Sequence, residues 1–307
     1  MDTREKVLNR YESLKGKEYL KEKIIDGVVV ASKLREEINL KKEYILEPMK
    51  LVLIQVGDDY GSEQYLKSIE KNCNDFCIQF ELVKLNKDID QDTLNSIVRK
   101  YGVFSNNCSV MIHTPLPKHI DTHELYNNIL PSRDVDCVNP FNISNVFDTS
   151  VQASILPCTV AGVMSIIDYY NIELEGKKVV VLGRSMTVGK PLSAVLEKKN
   201  ATVTVCHSKT PYNLLKYELK NADIIISAIG KAKYIKENMI GVNQVLIDVG
   251  INFQDGKMCG DFDFENVIGR SRLITPVPFG VGTTTSMNLI KNIIINYIER
   301  KGERENG

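Results

Sequence analysis

The residues with the clearest chemical potential sit around Gly183 and Gly189, in the stretch Lys178 to Leu192, KVVVLGRSMTVGKPL. Apolar residues Val179 to Leu182 run into Gly183 and a polar turn, and Gly189, Lys190, Pro191 and Leu192 open a helix. This pattern predicts a buried parallel strand, a glycine turn and a helix N-terminus. Free N–H groups at a helix start favour an anion, so the stretch reads as a phosphate cradle at the carboxyl edge of a sheet. Read with less chemistry, it is a tight βα turn. Arg184 follows the first glycine directly. The next strand, ATVTVC, ends in His207, Ser208 and Lys209, where a site for NAD typically carries Asp or Glu to accept from the ribose hydroxyls. Arginine with hydroxyl and imidazole donors suits an added 2′-phosphate, which a carboxylate there would repel. If a dinucleotide binds, these residues predict NADP; otherwise Arg184 and His207 make local surface contacts.

Positioning such residues takes an alternation of short strands and helices. In the first half, Lys50-LVLIQV-Gly57, Phe80–Val83 and Ser109–His113 read as strands, separated by helices from Ser62 to about Phe76 and from Asp88 to Lys100. Residues 1–23 read as a charged, amphipathic helical lead-in, and Asp26 as the cap of the helix that follows. Thr114-Pro-Leu-Pro117 leaves its strand as a stiff loop, and Asp134-Val-Asp136 with Asn139, Pro140 and Asn142 reads as a polar loop between elements. In the second half, Thr159 is a candidate cap for the helix VAGVMSIIDYY. Asp223–Ser227 and Val245–Val249 are further strands, and MNLIKNIIINYIER is a long closing helix before a frayed tail. The expected architecture is α/β, with parallel neighbours joined by helical crossovers.

Bulk properties narrow the function classes. Three hundred and seven residues favour two domains over one. With 39 basic and 39 acidic residues there is no net field to attract nucleic acid. No apolar run has the length of a membrane span, and the N-terminus is too charged for a secretory signal. Seven scattered cysteines suit reduced thiols in a cytoplasmic protein, and no Cys or His cluster completes a metal site.

The motifs resemble, in order, the methylenetetrahydrofolate dehydrogenase/cyclohydrolase proteins of FolD type. They are IIDG at 24–27, VG at 56–57 with Ser62 and Tyr65, PLP at 115–117, DVD at 134–136, LPCT at 156–159, VLGRSMTVGKP at 181–191, TVTVCHSKT at 202–210, IDVGIN at 247–252 and TPVPFGVG at 275–282. The resemblance implies a folate-binding α/β domain over 1–156, with helix 284–307 packing back on it. It also implies a Rossmann-like NADP-binding domain over 157–283, the two joined by long helices in a homodimer. The implied substrate is a tetrahydrofolate derivative, the methylene form, oxidised to the methenyl form with NADP and in most members then hydrolysed. Carried over, Tyr65 stacks near the folate ring, Asp136 accepts from its amino-pyrimidine edge, and Pro278 and Gly280 line the substrate. Gly183, Arg184, Ser185, Gly189, His207, Ser208 and Ile251 hold the cofactor. No metal, nucleic acid or membrane is implied.

The pattern also breaks. The family helix carries Tyr-x-x-x-Lys, but here the run is Tyr65-Leu-Lys-Ser-Ile69, and isoleucine can neither donate nor accept a proton. Lys67 and Lys71 fall on other sides of that helix. His113 stands where the family has a glutamine that contacts the lysine; it is either a titratable group near neutral pH or a hydrogen-bonded strand-end histidine. Val160 replaces proline, Phe279 usually glycine, and Thr283-Thr284 Pro-Met, which adds bulk near the expected meeting point of folate and nicotinamide. Hydride transfer needs geometry more than a protein base, whereas hydrolysis needs proton management. The leading expectation is therefore a dehydrogenase with weak or absent cyclohydrolase activity. The alternatives are a bifunctional enzyme using His113, and a non-catalytic or related-substrate paralogue.

Overall fold

The computed structural model describes residues 2–41, 44–45, 47–57, 63–105 and 107–305. The chain begins with α1 (Thr3–Leu8) and two 3-10 turns, Glu12–Leu14 and Glu18–Lys23, so the expected lead-in helix is broken into three pieces. α2 (Gly27–Leu40) follows, and the Asp26 carboxylate accepts from the N–H of Val28 at 2.9 Å, the cap expected of it.

Next come β1 (Met49–Val56), α3 (Glu63–Asp75), β2 (Ile78–Leu85), α4 (Gln91–Arg99), β3 (Cys108–Ile112), α5 (Thr122–Tyr126) and α6 (Pro140–Phe147). Ser62, expected to start α3, lies outside the described residues. The three strands form a parallel sheet in the order β2-β1-β3. One face of β1 and β3, with Val52, Ile54, Val110 and Ile112, packs on Leu94 and Val98 of α4, which explains the near-continuous apolar runs. α6 corrects the expected polar loop: Asn139 Oδ1 caps it by accepting from Phe141 N–H at 2.8 Å, and Pro140 sits at its first position, where a missing N–H costs nothing.

α7 (Cys158–Tyr169) starts one residue before Thr159, so Thr159 is not its cap. After it come β4 (Lys178–Leu182), α8 (Gly189–Lys198), β5 (Thr202–Cys206), α9 (Tyr212–Lys220), β6 (Ile224–Ser227), β7 (Gln244–Asp248), β8 (Asn252–Gln254), β9 (Lys257–Cys259), α10 (Phe264–Val267), β10 (Ser271–Ile274) and α11 (Val281–Glu305). α11 carries its helical backbone through most of the tail expected to fray. Five parallel strands form a sheet in the order β10-β7-β6-β4-β5, and β8 and β9 pair as an antiparallel hairpin. This is the doubly wound order in which the chain turns back beside its first strand, and ligands bind where the order reverses, between β4 and β6.

The chain divides into two compact units, Met1–Lys33 with Thr159–Thr285, and Leu34–Cys158 with Ser286–Gly307. The first 33 residues thus cluster with the five-stranded sheet and not with the three-stranded one, contrary to the expected 1–156 domain. Burial is the reason: Val7, Leu8, Leu14, Leu20 and Ile24 share a core with Leu182, Phe262, Phe264 and Ile274. Ile25 N–H also donates to Ile274 O at 2.8 Å. Among the described residues, no helix is long and apolar enough to cross a membrane.

Candidate functional site

In the three-stranded unit, a site forms around the end of β3, the start of α3 and the loop before α6. His113 follows β3 directly, held by its N–H to Ile54 O at 2.8 Å, and is 8% exposed. Its ring lies 6.3 Å, centroid to centroid, from that of Tyr65 near the start of α3. Tyr65 is half-buried, and burial, with Cys158 and the Asp136 carboxylate nearby, pushes its phenol well above the usual range, so the ring is neutral. Tyr65, His113 and Asp136, identified separately in the sequence, therefore converge. Ile69, one turn after Tyr65, is fully buried, whereas Lys67 and Lys71 are exposed.

The Asp136 loop is fastened from three sides. Asp134 accepts from the N–H groups of Asp136 and Asn139 and from Asn142 Nδ2, at 3.3, 2.9 and 2.9 Å. From α11, Asn292 Nδ2 donates to Val135 O and Leu156 O at 2.9 Å each, and Asn296 Nδ2 donates to Asp134 O at 2.7 Å. These asparagines fall one turn apart on a buried helix face, a polar stripe that the sequence displays and that marks backbone carbonyls needing donors. Asp136 itself accepts from Cys158 N–H at 3.0 Å and so does at a distance what Thr159 was expected to do for α7. Burial pushes Asp136 up to about 6, against the pull of the Cys158 N–H and thiol, with the Asp134 carboxylate adding to the rise. It is a carboxylate near neutral pH, with hydrogen-bonding capacity beyond the one N–H.

In the five-stranded unit, the register sets Leu182 level with Cys206 and with Ser227, so the turns after β4, β5 and β6 leave the sheet side by side. Between them lies a cavity of about 250 Å³. Of the expected cofactor residues, Gly183, Arg184, His207 and Ser208 line it; Ser185, Gly189 and Ile251 do not. The reason lies in how α8 starts. Val188 and Gly189 N–H groups donate to Ser185 Oγ at 3.1 and 3.3 Å, Lys190 N–H donates to Ser185 O at 3.0 Å, and Pro191 has none. The first-turn donors expected to cradle an anion are thus engaged within the turn. Gly189 is required for another reason: a Cβ there would overlap Gly183 O and press on Arg184 N. His207 Nδ1 accepts from Lys209 N–H at 3.2 Å, which leaves Nε2–H as the ring's donor.

The opposite wall, Ala228, Ile229, Lys231 and Tyr234, was not foreseen. It is held from behind by Asp261, fully buried, whose carboxylate accepts from Ser227 Oγ, Ile229 N–H, Lys231 N–H and Asn252 Nδ2 at 2.8, 2.9, 2.8 and 3.0 Å. Asp248 beneath it accepts from Gly250, Asp261 and Phe262 N–H groups. Burial, with the Asp261 carboxylate adding to it, pushes Asp248 up to about 8 against those donors. The only hint in the sequence is the pair Asp248 and Asp261, the first at the exit of the apolar run VLI with Gly250 two residues on, the second directly after Gly260 beyond a polar hairpin-like stretch.

Three further expectations fall in this unit. Pro278 and Gly280 lie in the turn into α11, where Phe279 O accepts from Gly27 N–H at 2.9 Å and Gly280 is buried against Pro276 O. Phe279 adopts φ +79°, a conformation that glycine takes more readily, and its ring packs on the core of this unit. Thr284 adds no bulk to an open site: it is fully buried, and its hydroxyl donates towards Gly162 O at 3.0 Å and Val281 O at 2.9 Å.

Residues 25–136 match the tetrahydrofolate dehydrogenase/cyclohydrolase catalytic domain, and residues 157–301 match the NAD(P)-binding domain of the same name. A bifunctional protein FolD from Clostridium botulinum (strain Okra / Type B1) is 39% identical over 276 residues, 89% of this chain and 97% of the relative. The crystal structure of the bifunctional FolD from Campylobacter jejuni superposes with a TM-score of 0.84 at 34% identity, covering 90% of this chain and 99% of that one. The Trypanosoma brucei methylenetetrahydrofolate dehydrogenase-cyclohydrolase, complexed with NADP cofactor and inhibitor, gives 0.82 at 30% identity over 91% of this chain and 98% of its own.

Proposed function

This chain belongs to the tetrahydrofolate dehydrogenase/cyclohydrolase family, and we propose that it oxidises 5,10-methylenetetrahydrofolate with NADP and has little or no capacity to hydrolyse the methenyl product. The observation that carries the second half is Ile69. It stands where the resemblance calls for lysine, one turn from Tyr65 and fully buried, and the lysines beside it on α3 are exposed. A hydrocarbon in that place can shape a pocket but cannot move a proton.

The residues present fit the cofactor. The cavity at the β4–β6 switch point offers Arg184, His207 and Ser208, with no carboxylate among its lining residues, which suits a phosphorylated ribose better than a bare one. NADP, when bound, supplies the hydride acceptor. The protein's part is to hold two flat groups in register and to keep Asp136 ionised toward the donors of the amino-pyrimidine edge. The neutral phenol of Tyr65 gives the folate ring an apolar face to stack on.

The test supplies methylenetetrahydrofolate with NADP and follows reduced cofactor and methenyl product separately. Both are expected to rise together, the methenyl form then decaying only at its spontaneous rate. Rapid enzymatic hydrolysis would reject the reading. Because His113 lies against Tyr65, a second reading gives the hydrolysis to His113; hydrolysis present in the wild type and lost in His113→Gln supports it.

The chain is also proposed to be a homodimer joined through the five-stranded unit. β5 is the edge strand of that sheet, Val205 is 37% exposed on it, and Tyr212, Leu214 and Tyr217 are exposed on the helix that follows. Sedimentation is expected to give twice the chain mass, and a charged substitution at Val205 to halve it; a wild-type monomer would refute the assignment.

A further inference from the structure

Lys231 has no part in the sequence motifs, yet the fold sets it in the wall of the cofactor cavity opposite Arg184's turn. Arg184 follows β4 and Lys231 follows β6, and these strands are hydrogen-bonded neighbours with Leu182 level with Ser227. A guanidinium and an ammonium therefore line one cavity of about 250 Å³, together with an imidazole, and no carboxylate lines it. The basic character that a sequence reading gives to one arginine belongs to two strands.

The second cation is also held in place, which a surface lysine ordinarily is not. Its own N–H and that of Ile229 donate to the two oxygens of a single buried carboxylate, Asp261, at 2.8 and 2.9 Å. Gly230 between them adopts φ +62°, the turn that brings both N–H groups onto one acceptor. At the other end of the side chain, the ammonium lies over the face of Tyr234, 5.3 Å from the ring centroid. A fixed backbone and an aromatic face under the charge reduce the freedom that a flexible lysine loses on binding an anion.

We propose that Lys231 is a specificity-determining residue for the cofactor: with Arg184 it takes the 2′-phosphate that distinguishes NADP from NAD. The assignment rests on the reading that this cavity holds the adenosine half of NADP. A lone arginine beside a ribose discriminates by one charge, whereas two cations leave a bare ribose facing two uncompensated charges. Discrimination between the cofactors should therefore depend on both residues.

The experiment measures direct binding, without turnover, on the intact protein. Adenosine 2′,5′-bisphosphate and adenosine 5′-monophosphate, which differ only in the 2′-phosphate, are titrated calorimetrically into wild type, Lys231→Met and Lys231→Arg. Wild type is expected to prefer the bisphosphate. Lys231→Met should lose about tenfold to a hundredfold of that preference, the worth of one charge-assisted contact, with the monophosphate affinity nearly unchanged; Lys231→Arg should keep most of it. Equal weakening of both nucleotides would overturn the proposal by assigning Lys231 to the 5′-phosphate, and so would a preference unchanged in Lys231→Met. A wild type that binds both nucleotides equally would instead reject the NADP reading itself, and the proposal with it. Thermal melts of the variants should match wild type, since the side chain is exposed.

Discussion

Asp136→Ala is expected to lower kcat/KM for the folate substrate by about 10²–10³-fold, the worth of two charge-assisted hydrogen bonds to the amino-pyrimidine edge. Adenosine nucleotide binding should be unchanged, because the nucleotide cavity is built from β4, β5 and β6 of the other unit. The same substitution removes the acceptor for Cys158 N–H and so costs about 0.5–2 kcal/mol of stability through the start of α7. Asp136→Asn separates these effects. Its Oδ1 still accepts from Cys158, so stability returns, but its amide points an N–H where the substrate also presents N–H, so catalysis stays low. Steady-state kinetics and thermal melts on the two variants check this. A kcat/KM within threefold of wild type in Asp136→Ala would place the substrate's acceptor elsewhere.

The same carboxyl sets a pH dependence with two opposite signs. Burial holds Asp136 at about 6 in the folded protein, above its value in an unfolded chain. Only the ionised form offers both oxygens as charged acceptors to the substrate, so kcat/KM for folate should fall as pH drops through about 6, and Asp136→Asn should lose that inflection. Stability runs the other way. The folded state holds this proton where the unfolded state has lost it, so the contribution is fully present below the unfolded value. It is lost as pH rises through about 6. Activity thus rises across the interval in which this group's contribution to stability falls, as expected where a buried acid is kept for binding.

What could be read from the sequence follows from what is local. LVLIQV, VVVL and QVLID announce strands because parallel sheets covered on both faces need unbroken apolar runs. Tyr65, His113 and Asp136 were identifiable because each sits in a short motif, and the sheet only had to bring the motifs together. The start of α6 was also written locally, as Asn139-Pro140, but the run of polar residues after Asp136 resembles a loop until the cap is recognised. Long-range packing stayed hidden. Nothing in residues 7–24 says that Leu14 and Leu20 will share a core with Phe262 and Phe264. Lys231 could not be found by motif because strand order alone brings the exit of β6 beside that of β4. Ser185 shows the converse: its type and place suggest a ligand contact, and its Oγ also closes the turn by accepting from Val188 and Gly189 N–H groups.

Ile69→Lys is expected to create measurable hydrolysis of methenyltetrahydrofolate in a protein proposed to have little or none. Side chains on a helix lean toward its N-terminus, so an amine at position 69 extends over the turn that carries Tyr65, on the side facing His113 and Asp136. Burial there lowers a lysine's pKa while the Asp136 carboxylate raises it. Stability should suffer, because Ile69 is fully buried and the replacement is longer and polar. A cost of about 1–3 kcal/mol corresponds to a melting temperature lower by about 2–10 °C. Ile69→Met supplies the control, with similar length and no amine: it should lose some stability and gain no hydrolysis. Adding His113→Gln to Ile69→Lys should raise hydrolysis further, since an amide oxygen accepts from an ammonium at any pH, whereas an imidazole accepts only when neutral. Oxidation of methylenetetrahydrofolate should survive in all three variants, because hydride transfer depends on the two bound rings and not on this amine. If both lysine variants oxidise the substrate yet their product decays at the spontaneous rate, the missing amine is not what limits hydrolysis. The Phe279 backbone and the Thr283-Thr284 pair, two further departures from the family pattern, would then be the positions to change.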